Sequence, residues 1–178
     1  MPSKKHYIIT AVTLGAIAAC SAGLIGLTNL LTRDQIKKNE QKKFNAGITA
    51  IFGENSAAHE FNPGSKYEIK YLDSIYIVDA ADDPENEIGW AVRTTGSNMY
   101  GKISMLVGFD YSSKLFKGIY LITNEQTYAT TLVENYVTPL NSGDRQLDDV
   151  KCGATYGATL INEMVTNAQE YIDGIIYD

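Results

Sequence analysis

A short run in the last third of the chain has the residue types and spacing for chemistry. Asp149 is followed three positions on by Cys152-Gly153-Ala154-Thr155, then by Tyr156-Gly157 and a helical pattern that runs to Tyr171. A helix that opens on small residues and a hydroxyl presents free backbone N–H groups, the positive end of its dipole and room for a phosphate to approach. Taken alone, the same residues also describe a turn and an N-cap.

The rest of the composition offers little competition. His6 and His59 are the two histidines, one before an apolar run and one in a polar stretch, too few to build a hydrolase triad or a zinc centre. Cys20 and Cys152 lie in an apolar segment and in the motif respectively, so neither a disulfide framework nor metal-ligand spacing follows. Residues 54–178 hold eight Lys/Arg against nineteen Asp/Glu, a net charge of -11, which argues against nucleic acid as a partner. Chemistry of consequence must then come from a bound cofactor.

The run Asp-x-x-Cys-Gly-Ala-Thr resembles the flavinylation motif Asp-x-x-(Ser/Thr)-Gly-Ala-(Ser/Thr) of the FMN-binding domain family. That family includes flavin-carrying components of the Rnf electron-transfer complex and of the sodium-pumping NADH:quinone oxidoreductase. Cys152 stands where the family has Ser or Thr, and Gly157 where it often has a further hydroxyl. Asn98-Met99-Tyr100-Gly101-Lys102-Ile103, leading into Val107-Gly108-Phe109-Asp110, is similar to the family's Gly-Tyr-x-Gly-x-Ile strand and its Val-Gly-Ile-Asp continuation. Asn124 to Ala129 occupies the place of the family's Glu-Thr-Pro-Gly-Leu-Gly loop, keeping Thr127, with Gln126 for the Glu and no Pro-Gly.

The resemblance implies an FMN joined by a phosphoester to Thr155 through the action of a separate flavin transferase. Gly153 and Ala154 are then the small neighbours, Cys152 the adjoining motif position, and Asp149 the acid that the transferase or its metal recognises. Tyr100, Thr127, Tyr128 and Tyr156 are candidate neighbours of the flavin ring, since aromatic faces stack on planar ligands. The implied role is electron transfer in a membrane redox complex of the Rnf type, in which ferredoxin and NAD redox chemistry is coupled to ion transport. Its partners would be other membrane subunits, the transferase during maturation, and membrane lipid. A stand-alone extracytosolic flavoprotein shuttle and a non-redox anchored binding module are the alternatives.

Three segments must position this chemistry. Residues 1–32 read as an N-terminal transmembrane anchor: Tyr7 to Leu31 carries no charged side chain, and about 20 apolar residues span a bilayer. Ile17-Ala18-Ala19-Cys20 also resembles a lipobox, but the apolar sequence continues past Cys20. Residues 33–53 read as a juxtamembrane helix with a net charge of +3, ended by Gly53. Two cations before the span and five after it would place the C-terminal domain in the cytoplasm, whereas the family resemblance implies a single-pass protein with an extracytosolic FMN domain.

Residues 54–178 are the expected FMN-binding domain, an α+β fold with an antiparallel sheet and packed helices. Strands are predicted at 67–71, 74–79, 89–95, 102–110 and 115–123, with a turn at 82–86. A helix over 130–137 is expected to end at Thr138-Pro139. The last helix carries Leu160, Ile161, Met164, Val165, Ala168, Tyr171 and Ile172 at the spacing of a stripe that faces a sheet.

Overall fold

The computed structural model describes residues 4–62 and 70–174; within the first helix, the side chains described are those of residues 11–26, 32, 33 and 35–52. Two compact units result, Met1–Lys42 and Lys43–Asp178. Helix α1 (Lys4–Phe52) runs through the first unit and ends in the second.

In the first unit every described side chain from residue 11 to 26 is exposed, including Val12, Leu14, Ile17, Leu24 and Ile25. Among the described residues no helix is long and apolar enough to cross a membrane. The described stretch is shorter than the about 20 residues a span requires, and the remainder of the predicted Tyr7–Leu31 anchor lies outside the described side chains.

The second unit is an α+β arrangement built on a five-stranded antiparallel sheet. The strands are β1 (Ser56–Phe61), β2 (Leu72–Ala80), β3 (Asp83–Asn98), β4 (Gly101–Asp110) and β5 (Phe116–Asn124), paired in sequence order. Tight turns join β2 to β5, as short connections between alternating segments require. The predicted 82–86 turn shortens, because β3 begins already at Asp83 opposite Ala80. Of the strand predicted at 67–71, residues 67–69 lie outside the described residues, and Lys70-Tyr71 form a turn.

Alternation along β4 sorts side chains onto two faces. Ile103, Met105, Val107 and Phe109 of β4 join Trp90 and Val92 of β3 in the larger core. Leu106 joins Ala91 and Val78 in a smaller core on the opposite face, completed by Phe44 and Ile48 from the end of α1. Glycines let that helix approach closely. A Cβ on Gly47 would stand 2.7 Å from Leu106 Cδ1, and one on Gly108 would collide with Ile51 and Phe52. Lys43 adds a hydrogen bond from Nζ to the Ile122 carbonyl, 2.9 Å. Gly108→Ala should therefore destabilise the domain by about 1–3 kcal/mol, the usual cost of overpacking; an unchanged urea midpoint would show that α1 does not seat on the sheet this way.

The larger core is covered by the helices that follow β5. Helix α2 (Ala129–Leu132) passes through a π-helical turn, Val133–Val137, into α3 (Thr138–Ser142). The expected stop at Thr138-Pro139 does not occur. Pro139 continues a helical run, since Val137 and Thr138 both keep right-handed helical angles; it follows directly on the π-helical turn, where the Thr138 N–H donates to the Val133 carbonyl five residues back, and the chain leaves the helix at Gly143 in the left-handed region. Asn141 on α3 pairs with both backbone groups of Ile119, at 2.9 Å each, and so occupies part of the exposed edge of β5. Helix α4 (Thr155–Gly174) lays the expected stripe, Leu160, Ile161, Met164, Val165, Ala168 and Ile172, against the sheet.

Candidate functional site

Helix α4 begins where the motif places it. The Ala158 N–H donates to the Ala154 carbonyl at 3.1 Å, so Ala154 is the N-cap and Thr155 the first helical residue. An alanine N-cap has no side-chain oxygen to satisfy the first-turn amides. The N–H groups of Thr155, Tyr156 and Gly157 therefore face outward without an intrahelical acceptor. The turn into the helix is made by Gly153, whose φ of +83° is a conformation other residues enter at a cost. Thr155 is exposed, and its hydroxyl makes no hydrogen bond to the protein among the described residues.

A cleft of about 250 Å³ opens above this helix start. Gly153, Ala154, Thr155, Tyr156 and Gly157 form one side; Tyr100, Gln126, Tyr128 and Leu132 close the others. The three tyrosines come from separate parts of the chain: the β3–β4 turn, the segment after β5, and α4. Their rings stand close, Tyr100 and Tyr156 with centroids 5.0 Å apart, Tyr100 and Tyr128 6.5 Å apart. Tyr128 and Tyr156 keep 57% and 62% of their surface exposed, so apolar ring faces remain open to a ligand.

The walls are fixed by backbone proximity. The Thr127 N–H donates to the Tyr100 carbonyl at 3.0 Å, and the Glu125 N–H to the Lys102 carbonyl at 2.8 Å. At Gly101, φ is +136° and any Cβ would strike the Glu125 carbonyl, so only glycine allows the two segments to meet. Gln126 is buried, and its Nε2 donates to the Gly101 carbonyl at 2.5 Å and to Asn98 Oδ1 at 3.2 Å. On the other side a Cβ at Gly157 would stand 2.8 Å from Leu132 Cδ2. The hydroxyl residue expected from the family at position 157 has no room in this packing.

Of the residues singled out in the sequence, Tyr100, Tyr128, Gly153, Ala154, Thr155 and Tyr156 come together around the cleft. Thr127 and Cys152 do not line it. Thr127 turns its hydroxyl back to the Tyr100 carbonyl, at 3.3 Å. Cys152 is packed in the larger core, and its carbonyl accepts from Asn135 Nδ2 at 3.1 Å.

Asp149 stands outside the cleft lining, and Arg145 Nη1 donates both to its carboxylate at 2.8 Å and to its carbonyl at 2.7 Å. The loop between α3 and α4 is further pinned by the buried Tyr136 hydroxyl, which donates to the Leu147 carbonyl. Burial pushes the Tyr136 phenol above its ordinary value, so it remains a neutral donor throughout the physiological range.

Leu132 reads only as a helix-core position, and Asn98, Gln126 and Gly157 stand out in the sequence only as departures from a family pattern. Arg145 lies in the loop and carries no helical-spacing signal; its pairing with Asp149 is seen only in the structure. The others act through contacts between distant segments. No curated protein matches the chain significantly. Residues 1–51 match the family model of the RnfG N-terminal region, and with that segment the chain resembles the RnfG component of the Rnf complex.

Proposed function

We propose that this chain is the membrane-anchored electron-transfer component of an Rnf-type complex, carrying FMN through a phosphoester on Thr155. The observation that carries the site is the position of Thr155: an exposed, unengaged hydroxyl at the first residue of α4, at the edge of a cleft walled by three tyrosines. The residues present fit the group. First-turn amides with no side-chain cap suit the charge of a phosphodiester, and Arg145 offsets the one motif carboxylate that would oppose it. Tyr100, Tyr128 and Tyr156 offer ring faces to an isoalloxazine, and the Gln126 side chain supplies the polar wall.

Attachment forms one bond, from Thr155 Oγ1 to the FMN phosphorus, and breaks another, from that phosphorus to the oxygen of the leaving group on an activated flavin donor; the leaving group departs with the hydroxyl proton, and the net product is FMN plus Thr155 less one water. No titratable side chain lines the cleft near Thr155 apart from tyrosine phenols, which supports delivery of the flavin by a separate transferase. Bound there, FMN supplies one- and two-electron redox chemistry, while the chain holds the cofactor and shapes its surroundings.

The first unit supports the anchored part of the reading. A helix with all of Val12, Leu14, Ile17, Leu24 and Ile25 exposed matches a bilayer better than water, and this segment is the one that matches the RnfG N-terminal region. The flavin domain is assigned to the extracytosolic side by family resemblance, together with its place among the other membrane subunits of the complex.

Intact-mass measurement of the full chain after co-production with a flavin transferase tests the assignment. The expected gain is the mass of FMN less one water, mapped to the peptide that contains Thr155. A mass unchanged by the active transferase would leave Gly153-Ala154-Thr155 as no more than a helix start.

A further inference from the structure

The side-chain amide of Asn98 hydrogen-bonds to all three segments of the cleft. It lies half-buried at the end of β3, next to an exposed Met99. Its Oδ1 accepts from the Tyr100 N–H at 2.9 Å and from Gln126 Nε2 at 3.2 Å. Its Nδ2 donates to the carbonyl of Tyr156, 3.0 Å away in the first turn of α4. One planar group thus spans the β3–β4 turn, the segment after β5 and the helix that begins at Thr155.

We infer that Asn98 is a positioning residue, whose amide sets the spacing of Tyr100 and Tyr156 and thereby the shape of the ring site. The geometry leaves few substitutes. A carboxylate at this position keeps both acceptor functions, but it has no donor for the Tyr156 carbonyl and presents a second oxygen to it. A methyl group loses all three bonds. Gln126 depends on the same amide, since its own Nε2 is shared between Asn98 and the Gly101 carbonyl. The clasp is a property of the protein alone; its consequence for a bound flavin rests on the function proposed above.

The test uses the full chain in detergent micelles, as wild type, Asn98→Ala and Asn98→Asp. Without flavin, ring-to-ring nuclear Overhauser contacts between Tyr100 and Tyr156 are expected in the wild type and lost in both variants. The Tyr100 amide should exchange about fivefold faster in Asn98→Ala and at the wild-type rate in Asn98→Asp, as one neutral hydrogen bond is removed or kept. A merely structural role would move only the melting temperature, expected to fall by about 3–5 °C per hydrogen bond lost.

With the transferase present, both variants should gain the flavin mass to the wild-type extent, because Thr155 and Asp149 are untouched. Their flavin should show an altered reduction potential and stronger fluorescence, as ring stacking is relaxed. Retained Tyr100–Tyr156 contacts in both variants, or a loaded flavin whose potential and emission equal those of the wild type, would overturn the inference. If the wild type itself gains no flavin mass, the functional reading fails, while ring contacts and amide exchange still decide the clasp.

Discussion

Thr155→Ala is expected to eliminate covalent flavin without disturbing the fold. The substituted side chain is exposed and makes no hydrogen bond to the protein among the described residues, so its loss removes neither packing nor a buried partner. Alanine is also the better helix former at an exposed first-turn position, which makes the stability change fall within about 0.5 kcal/mol of zero. Loading, in contrast, should go from stoichiometric to none, because the phosphoester oxygen itself is gone. In-gel flavin fluorescence after denaturation, with intact mass beside it, reads the outcome. Thr159, one turn further along α4, is the next aliphatic hydroxyl in sequence, but it does not line the cleft. A fluorescent Thr155→Ala band would move the attachment away from the helix start and sink the assignment.

The parts of this molecule that are legible in its sequence are those governed by local period. The 3.6-residue stripe from Leu160 to Ile172 and the alternation from Ser74 to Asp79 in β2 follow from side chains that must reach a core on a known face. Helix α4 begins at the threonine of the motif because Gly153 can make the left-handed turn before it. Local rules fail where a contact elsewhere decides the structure. Ser56–Phe61 has too little alternation to read as a strand, yet it pairs along the edge of β2, where His59 Nδ1 meets Asp79 Oδ2 at 2.8 Å. Pro139 reads as a terminator, yet it continues a helical run directly after a π-helical turn.

The same division runs through the candidate site. Tyr100, Tyr128 and Tyr156 lie beside recognisable motifs, and folding brings these three into one cleft. Thr127 and Cys152 lie equally close to motifs in sequence, but the backbone turns one toward the β3–β4 hairpin and buries the other. Asn98 and Gln126 sit inside family-like runs only as departures from the pattern, with nothing local to mark their role. Their importance is visible only in a hydrogen-bond network between residues 28 positions apart. The glycines at 101 and 157 likewise report distances between segments, which single-sequence reading does not contain.

Asp149→Ala should abolish flavin loading as completely as removal of the threonine, by a different route. Its carboxylate lies outside the cleft lining and would repel a phosphate, which argues for recognition by the transferase or its metal over contact with the finished cofactor. The structure also gives a rival role, because Asp149 pairs with Arg145 four residues earlier. That pair lies in a loop, is exposed on the carboxylate side and contributes about 0.2–1 kcal/mol. Arg145 moreover retains a hydrogen bond to the backbone carbonyl of residue 149 in the variant. Loss of loading in Asp149→Ala with an unchanged melting curve would therefore not come from collapse of the loop. Arg145→Ala separates the two roles: it breaks the pair but leaves the acid in place, and should load normally. Equal loss of loading in Arg145→Ala and Asp149→Ala would assign the acid to holding the loop, and full loading of Asp149→Ala would remove it from flavin attachment altogether.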